Sequence, residues 1–217
     1  MTTEFVFVRH GETQANRAGI LQGGSVNLPL NNNGRTQAGA AADYLKQEKF
    51  DAAFASDLRR AAETAEIIVK ANKHGVPLEL TAGLQEWNCG EMDGLSFEEI
   101  GKRFPREGRS FAFEQIETQM PGGELGTDFQ ARLDRFMMEL VQKFPGKRIL
   151  LVAHGGTLQR IFRLVSGAVK SDNLLPLAGN ASISSFLYNH ELNAWQLTSW
   201  NMREHLKDIP QHLSRVL

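Results

Sequence analysis

The sequence predicts an α/β fold, a three-layer αβα sandwich built around a mostly parallel central sheet. Two apolar segments carry that expectation, Phe5-Val6-Phe7-Val8 and Arg148-Ile149-Leu150-Leu151-Val152-Ala153. Each runs into a histidine, then a glycine, then a helical pattern. Unbroken apolar runs rich in β-formers are the signature of strands buried on both faces, as in a parallel sheet covered by helices. The segments between them alternate strand-like with helix-like patterns, as crossover connections do.

The elements follow in order. After the first strand, a loop rich in glycine, asparagine and proline runs from Ala18 to Gly34. A helix is expected over about Thr36 to Gln47, with Ala38, Ala41, Ala42 and Leu45 forming a narrow apolar face. Ala52 to Ser56 reads as a second strand, with Ser56-Asp57 as caps for a helix from Leu58 to about Lys73. Val76 to Leu80 reads as an edge strand, where Pro77 is tolerated. Between Leu84 and Gly126 the patterning is irregular, and about 95–126 is expected to form a lid-like insertion over a site. Ser96-Phe97-Glu98-Glu99 is a capping box for a short helix that Pro105 stops, and Thr127-Asp128-Phe129-Gln130 is a second one. The helix it opens carries Phe129, Leu133, Phe136, Met137, Leu140, Val141 and Phe144 at helical spacing, a core stripe. The strand at 148–153 is followed by a helix from about Thr157 to Ser166 that Gly167 closes. Ala181 to Asn189 and Ala194 to Trp200 form a late hairpin, and the tail after Asn201 a helix-turn segment.

Composition bounds what the chain can do. Its 217 residues suffice for a substantial core, and no repeat or composition break divides them, so a single domain over 1–217 is expected. The net charge is −1 with the two signs interspersed, which gives no electrostatic footprint for nucleic acid or an anionic membrane. An anionic ligand must therefore be caught by a local basic cluster. The single cysteine, Cys89, excludes an internal disulfide and fits a reducing cytoplasm; it reads as a small packed residue. No apolar run is long enough to span a bilayer, and no signal core precedes the first strand. Oligomeric state has no signature here.

If the two apolar strands are parallel neighbours, His10 and His154 meet at the same sheet edge, where ligands of open α/β sheets bind. A histidine at a strand end is often structural, but that reading must then explain the same placement twice. The helices that follow offer unpaired N–H groups and a positive dipole end to phosphate. Arg9 and Arg60 supply fixed charge and bidentate donors suited to phosphoryl oxygens. Six histidines without ligand spacing give no sign of a metal.

Arg9-His10-Gly11-Glu12-Thr13, Asn16, Gln22-Gly23, Pro29-Leu30, Ser56-Asp57-Leu58, Arg60-Ala61, Thr64-Ala65, Leu84-Gln85-Glu86, Gly90, Gly94, Pro121-Gly122-Gly123-Glu124 and His154-Gly155-Gly156 occur in that order. The ordered set resembles the histidine phosphatase superfamily, in its phosphoglycerate mutase-like branch. That resemblance implies a phosphoglycerate mutase-like fold and a metal-independent, acid-type phosphomonoesterase without a cofactor, acting on a small phosphorylated metabolite through a phosphohistidine. It implies His10 as nucleophile, Glu86 as general acid, and Arg9, Asn16, Arg60, His154 and the Gly155 amide around the phosphoryl group. Gln22 and Gly23 would face the substrate. Glu12 reads as a structural helper, and Arg103, Arg106 and Arg109 as a solvated lid face rather than substrate contacts.

The chain departs from the family pattern in places. Its Pro-Leu pair comes one residue late, Asn27 stands for a common aspartate, Asn31 for a threonine or serine, Met92 for an aromatic and Leu125 for a serine. Two other functions compete with the phosphatase reading. A cofactor-dependent phosphoglycerate mutase would continue its acid into Glu-Arg-His-Tyr-Gly, whereas here the chain reads Glu86-Trp87-Asn88-Cys89-Gly90. A non-catalytic phospho-ligand module would have no need of nucleophile, clamp and acid together. Gly-x-Ser-x-Gly and Walker-type loops are absent from the sequence.

Overall fold

The computed structural model describes residues 1–112, 119–167 and 176–211. Six strands form one sheet in the order β3-β2-β4-β1-β5-β6, where β1 is Thr2–Arg9, β2 Ala52–Ser56, β3 Leu78–Thr81, β4 Arg148–Ala153, β5 Ile183–Asn189 and β6 Ala194–Met202. The first four in that order run parallel, and the hairpin β5–β6 adds two antiparallel strands beside β1. The helices are α1 Gln14–Ala18, α2 Asn32–Leu45, α3 Arg59–Ala71, α4 Phe97–Arg103, α5 Pro105–Ala112, α6 Gly126–Lys143 and α7 Gly155–Ser166.

Strand alternation divides the core into two layers. Phe5, Phe7, Phe54, Ile149 and Leu151 face one side and pack against Phe129, Leu133, Met137 and Leu140 of α6 and Leu158 and Ile161 of α7. Val6, Val8, Ala53, Ala55, Leu150 and Val152 face the other and pack against Ala41, Ala42 and Leu45 of α2 and Ala61, Ala65 and Ile68 of α3. This is the three-layer αβα arrangement the sequence predicts. Successive side chains of a strand point to opposite faces, so a strand covered on both sides must be apolar throughout. Each fully buried large side chain contributes roughly 1.5–3 kcal/mol relative to exposure.

Several boundaries differ from the sequence reading. The Ala18–Gly34 loop is shorter than expected at both ends, because Thr13 opens α1 through a reciprocal capping box with Asn16, and Asn31 caps α2 by accepting from Gly34 N–H at 2.7 Å. Thr127 opens nothing: α6 begins at Gly126, its N-cap is Leu125, and no side chain caps it. The Ser96 box does form. Pro105 ends α4 by way of Phe104 but also starts α5, where proline's fixed φ suits a first helical turn. The helix after β4 starts at Gly155 with His154 as N-cap, two residues earlier than expected. Asn27, at one departure from the family pattern, accepts from Arg59 N–H at 2.7 Å and so takes over the start of α3. Phe113 lies outside the described residues, as do the side chains of Arg109 and Phe111. Arg103 and Arg106 are exposed, and Cys89 is fully buried.

Candidate active site

The register of β1 against β4 pairs Arg9 with Ala153, so His10 and His154 leave adjacent parallel strands side by side. Their ring centroids lie 5.2 Å apart, and both rings are buried. Gly11 lets the chain turn here, because a Cβ on it would come within 2.4 Å of the Gly34 carbonyl oxygen. Thr64 of α3 fixes the turn, accepting from Gly11 N–H at 3.1 Å while donating to Arg60 O at 2.7 Å.

The hydrogen bonds assign the tautomers. His10 Nδ1 lies 2.7 Å from the Gly11 carbonyl oxygen, which can only accept, so Nδ1 carries the proton and Nε2 keeps its lone pair. His154 Nδ1 faces Arg60 Nε at 3.1 Å, and a guanidinium can only donate. His154 Nδ1 therefore accepts, and its Nε2 carries the proton. Burial first, then the Arg60 charge, hold both imidazoles well below the usual histidine range, so both are neutral at pH 7. One ring thus presents a lone pair and its neighbour an N–H donor. That Nε2 of His154 is buried with no hydrogen-bond partner among the described residues, and so is Nε of Arg9.

The two arginines are arranged differently. Arg9 anchors Nη1 on Ala178 O at 2.5 Å. Arg60, fully buried, donates Nη1 to Val26 O at 2.7 Å and Nη2 to Gln22 O and Gly23 O at 3.3 and 3.2 Å. With the bond to His154, these occupy four of the five N–H groups of the guanidinium. Arg60 therefore ties the Gln22–Val26 loop to His154. Burial lowers the pKa of each arginine to about 10, opposed by the nearby Glu86 charge, and both remain cationic.

Glu86 is 7% exposed. Its Oε1 accepts from Trp87 N–H at 3.0 Å and its Oε2 from Gly156 N–H at 2.8 Å, in the first turn of α7. Burial raises its pKa above the ordinary value, although those two hydrogen bonds and the arginines pull the other way. A Cβ on Gly156 would fall 2.5 Å from Glu86 Oε1 and push that carboxyl from its place. Gly155 opens α7 against the guanidinium of Arg9, where a Cβ would lie 3.5 Å from Arg9 Cζ.

The structure thus brings His10, His154, Arg9, Arg60, Glu86 and Gly155 together. Asn16 sits at their edge, its Oδ1 accepting from Thr13 and from Asn180 Nδ2 at 3.1 Å. Gln22 is buried and donates Nε2 to Thr13 Oγ1 at 2.6 Å. Gly23 N–H donates to Asp93 at 2.9 Å, and Ser25 N–H and Oγ bond the other oxygen of that carboxylate at 3.1 and 2.5 Å. Glu12 is buried and receives Asn31 Nδ2 at 2.7 Å, a bond to structure rather than to the histidines. Asn31, the second departure, caps α2 and holds Glu12 with one amide.

Sequence reasoning missed Asn180, Ala178 and Asp93. Asn180 Nδ2 bonds the His10 carbonyl at 3.1 Å from 170 positions away. No local pattern announces such a contact. Asp93 has a weak signal, one of two carboxylates between Gly90 and Gly94, close in sequence to Glu86. Among the described residues, no group of three or more His, Cys, Asp or Glu is placed to hold a metal ion, and no helix is long and apolar enough to cross a membrane.

The family model of the histidine phosphatase superfamily (branch 1) matches residues 5–203. The chain is 35% identical over 211 residues to the metal-independent phosphoserine phosphatase of Arabidopsis thaliana, covering 95% of this chain and 84% of that protein. The structure of mycobacterial glucosyl-3-phosphoglycerate phosphatase superposes with a TM-score of 0.81 at 27% identity, covering 93% of this chain and 99% of that one. A phosphoserine phosphatase mutant from Entamoeba histolytica, in complex with phosphoserine, gives a TM-score of 0.78 at 26% identity, covering 94% and 99%. The chain belongs to the histidine phosphatase superfamily, and its fold is that of these phosphatases.

Proposed function

We propose that this protein is a phosphomonoesterase that hydrolyses a small phosphorylated metabolite through a phosphohistidine on His10. The observation that carries the reading is the pair of opposite tautomers. His10 offers the lone pair of Nε2, and 5.2 Å from its ring His154 offers an N–H.

The His10 Nε2 lone pair attacks phosphorus, the bond from phosphorus to the ester oxygen breaks, and Glu86 gives its proton to the departing alkoxide. His154 Nε2–H, Arg9 and the remaining N–H of Arg60 stabilise the equatorial oxygens, whose charge must be met during transfer. Asn16 and the Gly155 amide complete that shell. A water then attacks the phosphohistidine, Glu86 takes its proton back, and phosphate leaves with His10 restored. The raised pKa of Glu86 supports the acid role, since its protonated form persists above the pH at which an ordinary glutamate ionises.

Substrate discrimination falls to Gln22, Gly23 and the lid-like 95–126 segment. That segment is stitched to the approach to the Gln22 loop by Leu21 N–H on Leu95 O at 2.9 Å and Phe97 N–H on Gly19 O at 3.1 Å. Phosphoserine and glucosyl-3-phosphoglycerate, the substrates named for similar phosphatases, are both phosphate esters of aliphatic hydroxyls, and an ester of that kind is the substrate class we assign. A single domain and a reducing cytoplasm, suited to the buried Cys89 thiol, complete the reading.

The test is phosphate release from O-phosphoserine, 3-phosphoglycerate, sugar phosphates and p-nitrophenyl phosphate by the wild-type protein and His10→Ala. Release from at least one alkyl phosphate, abolished in the variant, is expected. Isomerisation of 3-phosphoglycerate without release, or full activity of His10→Ala, rejects the reading.

A further inference from the structure

The acid is not placed by its own strand or helix. Glu86 lies in a loop between two short 3₁₀ turns, Ala82–Leu84 and Gly90–Met92, and something outside the loop must fix it. Arg132, in the second turn of α6, reaches back to do so. Its Nη1 donates to the carbonyls of Ala82, Gly83 and Gln85 at 3.2, 3.4 and 3.0 Å. Its Nε and Nη2 face the Glu124 carboxylate at 3.1–3.3 Å. Glu124 in turn holds the other side of the acid. Its backbone N–H donates to Asn88 O at 2.8 Å, its carbonyl accepts the Trp87 indole N–H at 2.8 Å, and its Oε2 faces Asn88 N–H at 3.4 Å.

An aromatic contact locks the same unit. Phe129, one turn before Arg132, stacks on Trp87 with centroids 5.7 Å apart and planes 11° from parallel. The Arg132 guanidinium carbon sits 5.1 Å from the Phe129 ring centre. Both neighbours of Glu86 in the chain, Gln85 and Trp87, are thus gripped from α6.

We infer that Arg132 is the positioning residue for the proton donor, setting the Glu86 carboxyl against the leaving-group oxygen through the 82–88 backbone that it and Glu124 hold. The inference rests on the reading of Glu86 as general acid. A planar fork that serves three carbonyls and a carboxylate at once is a task for arginine, and a lysine ammonium can meet only part of it. Displacing a reacting group by about 1 Å costs on the order of 100-fold. That loss falls on esters whose leaving oxygen needs the proton, because a good leaving group departs without it.

The test is a leaving-group series of p-nitrophenyl phosphate, phenyl phosphate and β-glycerophosphate, with wild type, Arg132→Gln, Arg132→Lys and Glu86→Gln. In Arg132→Gln, kcat/KM on p-nitrophenyl phosphate should stay within about 3-fold, while kcat/KM on β-glycerophosphate falls about 10- to 100-fold; kcat/KM reads only the steps through phosphoryl transfer to His10, whereas kcat also reads the hydrolysis step that Glu86 serves for every substrate. Arg132→Lys, which keeps the charge opposite Glu124, should fall between and serves if the glutamine variant does not fold. Glu86→Gln should give the steepest dependence. Equal losses across the series in both Arg132 variants, or no loss, overturn the positioning role while the steep Glu86→Gln profile stands. A flat profile in Glu86→Gln itself removes the acid reading, and the inference with it.

Discussion

His10 and His154 come from the same local design and end with opposite chemistry. Each follows a buried strand, precedes a glycine and lies at one edge of the sheet, and each makes one hydrogen bond through Nδ1. The partner of that bond is what differs. A carbonyl oxygen holds the proton on Nδ1 of His10 and leaves Nε2 nucleophilic, whereas the Arg60 guanidinium holds the proton off Nδ1 of His154 and makes Nε2 a donor. On the proposed mechanism, that single contact divides attacker from stabiliser.

The largest effects should come from the two rings themselves. His10→Ala should lose activity at least about 1,000-fold and form no phosphoenzyme. His154→Ala should lose about 100- to 1,000-fold yet still accumulate label on His10. Phosphoenzyme trapping with a labelled substrate checks the pair, and label in His10→Ala would break the assignment.

Arg60→Met comes next. It removes the donor that fixes the His154 tautomer and leaves the carbonyls of Gln22, Gly23 and Val26, the first two buried, without their partner, so a loss near 100-fold is expected. Because Arg60 acts partly through His154, the double variant should lose far less than the product of the single losses. Simple multiplication of the two effects would mean that Arg60 works independently of that ring.

A smaller, graded effect is expected with pH. As the proposed general acid, Glu86 would donate only while protonated, so activity should fall as pH rises through its raised pKa, and the limb should lie above that of an ordinary glutamate. His10 is held well below 6.5, so loss of its lone pair to protonation should set in only well into the acid range. A kcat/KM profile on an alkyl phosphate measures both limbs, and survival of the alkaline limb in Glu86→Gln would assign it to another group.

The smallest effect is structural. Asn31→Ala removes the α2 cap and the bond to Glu12, at a cost of about 1 kcal/mol, with activity per folded molecule nearly unchanged. Denaturant midpoints compared with specific activity separate these quantities.

The hydrophobic pattern by itself determined the layers, because a strand covered on both faces has to be apolar at every position and a helix packed on one face has to repeat its apolar residues every turn. Phe5 to Val8, Ile149 to Ala153 and the stripe from Phe129 to Val141 are legible for that reason, and so is the meeting of His10 with His154, which parallel neighbours force. The helix starts were less legible. A capping pattern such as Thr127 to Gln130 is only an offer of a hydrogen bond, and the packing of α6 placed its first turn elsewhere. Apart from the paired histidines, side-chain contacts between residues far apart in the chain carried little signal. The carbonyls of Gln22, Gly23 and Val26 on Arg60, Asn180 beneath His10, and Arg132 behind the acid loop are settled by which surfaces the fold brings face to face. Tautomers belong to the same class, since a proton's position on a buried imidazole depends on one neighbour whose identity only the folded chain supplies.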